Sequence, residues 1–158
     1  DDAVHVVCRR DLLMKLELLT AFLGTMGFAL LCGVRRKYLL IVSFGGLLCW
    51  GSYLLFDFWW ADLFFSSLFS AATVALFSEI SARVLKAPAT LFFTPAIVPL
   101  IPGRTLYYAM SCIVKSDRQT AVYYASVTAQ CALGIAAGIS IVLTLFLVIE
   151  RLHKIKRT

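Results

Sequence analysis

The sequence predicts an all-α polytopic membrane protein with about five transmembrane segments, the fourth broken by prolines. Three observations carry this reading. The chain is 61% hydrophobic and 15% charged, with a mean hydropathy of +0.87, whereas soluble domains lie nearer about 45–50% apolar and about 25% charged. Its charges gather at the ends of long uncharged runs. All four prolines, Pro88, Pro95, Pro99 and Pro102, fall within fifteen residues of one such run.

The spans follow in order. Residues 1–17 form a charged lead of mixed sign, opening on Asp1 rather than Met, as in a chain trimmed or cut from a longer polypeptide. Leu18 to Val34 is the first uncharged run, 17 residues closed by Arg35-Arg36-Lys37. Tyr38 to Phe56 is the second, 19 residues ending in the aromatic and acidic stretch Asp57 to Asp62. Leu63 to Ser78 is extended by Glu79 and reaches Arg83 and Lys86. The proline segment and Thr105 to Val114 come next, closed by Lys115 to Arg118. Gln119 to Ile149 then runs 31 residues without a charge. A crossing helix needs about 20 residues, so each run suffices and the last is long. The transmembrane domain is placed at 18–150, and 151–158 is a basic tail.

Charge also predicts orientation, because Lys and Arg favour the cytoplasmic side. With Arg35-Arg36-Lys37 inside, the Trp-rich turn lies outside and Arg83 and Lys86 lie inside. If residues 87–114 cross once, the basic tail returns inside. The expected topology is five crossings of the cytoplasmic (inner) membrane, N-terminus out and C-terminus in. The net charge of +6 is explained by these flanks, and no nucleic-acid partner is expected.

Cys8, Cys32, Cys49, Cys112 and Cys131 are odd in number and too far apart for a metal motif; they read as reduced apolar fillers. His5 and His153 lie near the ends. No metal and no cofactor is expected. The inventory lacks a Gly-rich phosphate loop, an H-E-x-x-H motif and a histidine within the spans, so an enzyme is not expected. Small residues recur at four-residue spacing, Gly134 with Gly138, Ser66 with Ser70 and Ser67 with Ala71, which lets helices approach closely in lipid. Packing within the subunit is the preferred explanation, with self-association as the other. Trp50, Tyr53, Trp59, Trp60, Tyr123 and Tyr124 read as interfacial aromatics.

The proline cluster is the candidate site. Within a helix, Pro95, Pro99 and Pro102 would orphan the carbonyls of Leu91, Pro95 and Val98. Broken backbone survives at membrane depth only against protein or a hydrated cavity, which is where transporters place substrate. The freed carbonyls suit an ammonium group or a cation. A helix restarting at Thr105 presents N–H groups that favour a carboxylate, and Arg104 beside it can pair with that carboxylate bidentately. The alternative is a kinked packed helix with Arg104 snorkelling to the surface. Thr90, Thr94, Tyr107 and Tyr108 are candidates to line the path. Glu79 is a candidate coupling carboxylate, although Arg83 one turn later makes an ordinary i,i+4 pair the favoured reading.

The run from Pro88 to Met110 resembles the signature segment of the threonine/serine exporter (ThrE-type) family, in particular the small membrane subunit of its split, two-component form. Pro99, Pro102, Gly103, Tyr107 or Tyr108, and Ala109-Met110 fit that pattern. Gly27-Phe28-Ala29, followed by Val34 and a basic pair, is similar to the family's first hairpin. The likeness covers roughly residues 20 to 157; Arg104 departs from it, since a small or apolar residue is usual there. The resemblance implies export of threonine and serine, or of dicarboxylates such as succinate in split members. It also implies a larger ThrE-type membrane subunit as partner, or its fused equivalent, forming inverted halves. A non-transporting scaffold or assembly subunit, or a homo-oligomeric channel, stands as the alternative.

Overall fold

The computed structural model describes the backbone of residues 2–60 and 62–155, and the side chains of 14–59, 62–149 and 151–152. The lead's charges at 1–11, together with His5, Cys8, Trp60, His153, Lys154, Lys156 and Arg157, lie outside the described side chains. Six α-helices follow one another: α1 (Asp2–Leu31), α2 (Arg36–Trp60), α3 (Leu63–Leu85), α4 (Ala89–Ala96), α5 (Gly103–Val114) and α6 (Arg118–Ile155). A 3₁₀ turn, Val98–Leu100, joins α4 to α5. No strand occurs among the described residues, and the all-α polytopic class holds. Met14–Leu31, Arg36–Trp59, Leu63–Leu85 and Arg118–Ile149 are each long and apolar enough to cross a bilayer. The expected fourth segment is a pair of shorter helices, Ala89–Leu100 and Gly103–Val114, bent by 50°.

α1 does not begin at the end of the charged lead. It runs unbroken through residues 9–17, because Arg, Leu, Met, Lys and Glu are all good helix formers and neither Gly nor Pro intervenes.

Three helices end in the same way, with one left-handed residue followed by a long-range return hydrogen bond. Gly33 (φ 69), Lys86 (φ 50) and Ser116 (φ 60) take the left-handed position. The N–H groups of Val34, Ala87 and Asp117 then donate to the carbonyls of Ala29, Ala82 and Cys112 at 3.1, 3.1 and 3.0 Å. This geometry satisfies carbonyls that a helix end would otherwise leave bare. α6 is capped at its start, where the Thr120 N–H donates to Asp117 Oδ1 at 3.3 Å. Side-chain and backbone hydrogen bonds from Thr120 hold the exposed Asp117 carboxyl below its ordinary range.

α3 is the central helix, packed against α2, α4 and α6. Its buried residues are Ser66, Ser67, Ser70, Ala71, Val74, Ala75, Ser78 and Ser81, nearly all small. Lipid supplies no hydrophobic force between helices, so close backbone approach and interhelical hydrogen bonds must hold the bundle. Both are present. Gly134 and Gly138 of α6 seat against Ser67 and Ala71, whose Cβ atoms would each lie 3.2 Å from an added methyl. The four-residue spacing of small residues is therefore used inside one chain. Toward α2, Ser70 Oγ donates to the Cys49 carbonyl at 2.6 Å, and Ser52 Oγ lies 3.2 Å from Ser70 Oγ.

α4 lies in the cleft between α2 and α3, burying Phe92, Pro95 and Ala96. Gly45 makes room for it, since a Cβ there would stand 3.1 Å from Ala96 Cβ and 2.9 Å from the Phe77 ring. α5 instead packs against α6 alone among the described helices.

Candidate functional site at the proline break

The break has a definite backbone path. Pro95 sits inside α4, Pro99 within the 3₁₀ turn, and Pro102 immediately before α5. The Ile97 N–H donates to the Phe93 carbonyl at 3.1 Å and also faces that of Pro95. Leu100 N–H donates to Ile97 at 2.9 Å, and Ile101 N–H to Val98 at 3.2 Å. The Val98 carbonyl, expected to be free, is therefore occupied. Tightening to i→i+3 bonds lets the chain use carbonyls that a continuous helix would have orphaned.

α5 restarts at Gly103, two residues before the expected Thr105. Gly103 N–H donates to the Ile101 carbonyl at 2.7 Å, and Leu106 N–H to Pro102 at 3.2 Å. Among the described residues, the N–H groups of Arg104 and Thr105 have no backbone acceptor. These are the donors at the positive end of the helix dipole. Thr105 Oγ1 donates to the Pro102 carbonyl at 3.0 Å, and Thr128 Oγ1 lies 2.9 Å from Thr105 Oγ1, which ties the restart to α6.

A groove of about 610 Å³ runs beside the break. Val98, Pro99 and Arg104 form one wall, α1 the other, and Trp50 of α2 contributes between them. Gly24 and Gly27 line the α1 wall, and beyond the local helix backbone no atom lies within 4 Å of where their Cβ atoms would be. Two bare turns thus leave the space open. Thr25, between them, is fully buried and donates Oγ1 to the Ala21 carbonyl at 2.7 Å. It packs into the gap left by Gly46 of α2, where a Cβ would strike its side chain. The groove carries both charge signs, Arg104 from the break and Glu17 from α1.

The expected site residues separate. Pro99 and Arg104 line the groove, Gly103 is exposed beside them, and Pro102 is half-buried at the head of α5. Pro95 lies behind the groove in the core. Thr90 and Thr94 are exposed on α4, one turn apart, but do not line the groove. Neither do Tyr107 and Tyr108. Tyr108 stacks on Tyr124 of α6 with centroids 5.5 Å apart, and Tyr107 is exposed.

Glu79 is half-buried on α3 and also stands outside the groove. The Arg83 guanidinium, one turn on, lies over the Phe146 ring of α6 at 4.9 Å, an attraction across the helix pair.

Glu17 and Trp50 were not among the expected site residues. The sequence alone places Glu17 at the end of the charged lead and Trp50 among the interfacial aromatics. Trp50 is instead half-buried, stacked on Tyr53 at 5.3 Å, and its Nε1–H donates to Glu17 Oε2 at 3.4 Å. The available signal was a carboxylate followed by Gly24 and Gly27 at helical spacing, which places an acid above a bare face.

The geometry makes a labelling pattern specific. In a background lacking native cysteines, Val98→Cys and Arg104→Cys in membranes will react with a water-soluble thiol reagent. Ala96→Cys and Leu100→Cys, at sites 0% and 6% exposed, will not. Inertness at both groove positions, or equal reaction at Ala96, would exclude a hydrated groove.

The family model described as Threonine/Serine exporter, ThrE, matches residues 17–145. No curated protein and no solved structure gives a significant match. The matched region begins at Glu17 and contains the break, the groove and the α3–α6 seam. The chain belongs to the threonine/serine exporter family.

Proposed function

We propose that this chain is the membrane subunit of a secondary exporter of small hydrophilic metabolites, working with a larger ThrE-type subunit. Family membership makes it an exporter-type, multi-pass membrane protein rather than an enzyme. The finer reading rests on one observation: the proline break faces an open groove instead of a packed helix surface, with Arg104 and the free N–H groups of α5 at that wall. Arg104 and the helix start recognise the carboxylate that threonine, serine and succinate share. Residues 89–114 cross once, bent at the break, so the N-terminus is outside and the C-terminus inside. The groove is open along α1, and the larger subunit, or its fused equivalent, closes it as the second of two inverted halves. Glu79 then lies outside the substrate path.

Reconstitution into proteoliposomes tests the reading. Efflux of labelled threonine, serine or succinate is expected when both subunits are present and not with either alone. Flux from this chain alone would make it a homo-oligomeric channel. Full flux from the larger subunit alone would make it a scaffold.

A further inference from the structure

We propose that Glu17 is the specificity-determining residue of the groove, binding the ammonium of a solute whose carboxylate is held by Arg104. The inference rests on the exporter reading above and adds to it the second half of the recognition.

Glu17 sits on α1, across the groove from the break. Its carboxylate is exposed and, among the described residues, receives one hydrogen bond, from Trp50 Nε1–H to Oε2 at 3.4 Å. A carboxylate has about four acceptor sites, so most of its capacity faces outward. The neighbouring Thr20 hydroxyl does not use it, donating to the Glu17 backbone carbonyl at 2.9 Å. Trp50 is fixed by stacking on Tyr53, with ring planes 21° apart. An indole beside a carboxylate offers an ammonium both a π surface and charged acceptors.

On the facing wall, Arg104 forms no ion pair or hydrogen bond among the described residues, and neither of its neighbouring N–H groups is used by the backbone. Glu17 and Arg104 line one groove without an ion pair between them among the described residues, so their charges stay available to a solute. A dianion meets repulsion from Glu17. A hydroxy acid without an amine leaves Glu17 unpaired. A zwitterion carries a partner for each of the two charges that line the groove.

The test uses the full chain with the larger subunit in proteoliposomes, following labelled threonine. The competitors are 3-hydroxybutyrate, which is threonine without its amino group, and succinate. Binding of labelled threonine to the purified complex is measured in parallel. The wild type is expected to prefer threonine over 3-hydroxybutyrate by about tenfold or more. Glu17→Gln keeps an acceptor for Trp50 and should reduce that ratio to within about twofold. Glu17→Asp should restore part of it. An unchanged ratio in Glu17→Gln overturns the assignment. Stronger competition by succinate than by unlabelled threonine in the wild type overturns it too, while leaving the exporter reading intact. Absence of both flux and binding for all three probes in the wild-type complex removes both readings together.

Discussion

Gly138→Ala will destabilise this protein, although alanine is the better helix former. An added Cβ would run into the Leu68 backbone carbonyl and lie 3.2 Å from both Ala71 Cβ and Ala72 N. A carbonyl held in a helix cannot rotate away, so α3 and α6 must separate. Separation forfeits van der Waals contact along the seam, and lipid offers no compensating burial. Overpacking typically costs about 1–3 kcal/mol, against a propensity gain of up to about 1 kcal/mol. The net expectation is a loss of up to about 2 kcal/mol. Gly134→Ala should behave alike, since its Cβ would stand 2.6 Å from the Phe64 carbonyl. The double variant should cost less than the sum, because helices already separated by one methyl accept the second more easily. Gly27→Ala is the control: beyond the local helix backbone nothing lies within 4 Å of that position, so stability should hold or rise. Unfolding titrations in mixed micelles read all four variants. Wild-type stability in Gly138→Ala would mean that the seam is looser than described.

Arg104→Gln should reduce export by about 10- to 100-fold while leaving the fold intact, the range expected for a lost charged hydrogen bond. Its side chain is exposed and forms no ion pair among the described residues, so removing its charge costs the free protein little. Arg104→Lys separates the two roles considered for this residue. A guanidinium that only snorkels to the surface is replaced by an ammonium without consequence. One that holds a carboxylate bidentately is not, because lysine is a point charge lacking the planar fork. Lysine should therefore recover only part of the flux. The required measurements are flux per folded protein and a thermal transition on the same preparation. Unchanged flux in Arg104→Gln would move the carboxylate site away from the break.

Much of the architecture was legible because charge and proline act locally. Arg35-Arg36-Lys37, Lys86 and Lys115 mark chain reversals, since no charged residue is left in lipid without cause. Pro95, Pro99 and Pro102 mark the bend, since each removes a donor wherever it falls. The groove was less legible because it depends on which helices are neighbours. Charge also sets the start of the first span at Leu18, which leaves Glu17 outside the bundle although α1 runs straight through it. Counting missing donors predicted a free Val98 carbonyl, but counting cannot anticipate a switch to tighter turns. Tyr107 and Tyr108 follow the break closely in sequence, yet Tyr108 is drawn to Tyr124 on a helix that begins later. The i,i+4 spacing of Glu79 and Arg83 was visible in the sequence, but the Phe146 ring under the Arg83 guanidinium comes from α6 and was not.

The apolar part of α6, Arg118–Ile149, spans 32 residues, or about 48 Å at 1.5 Å per residue. A hydrocarbon layer is about 30 Å thick. Even a 40° lean, the steep end of what such helices adopt, leaves about 7 Å of greasy helix to accommodate. The headgroup layers, which bring a bilayer to about 40–45 Å, can take up that excess at the polar start Arg118-Gln119-Thr120, so the first turns of α6 become the part of this helix that senses the membrane surface.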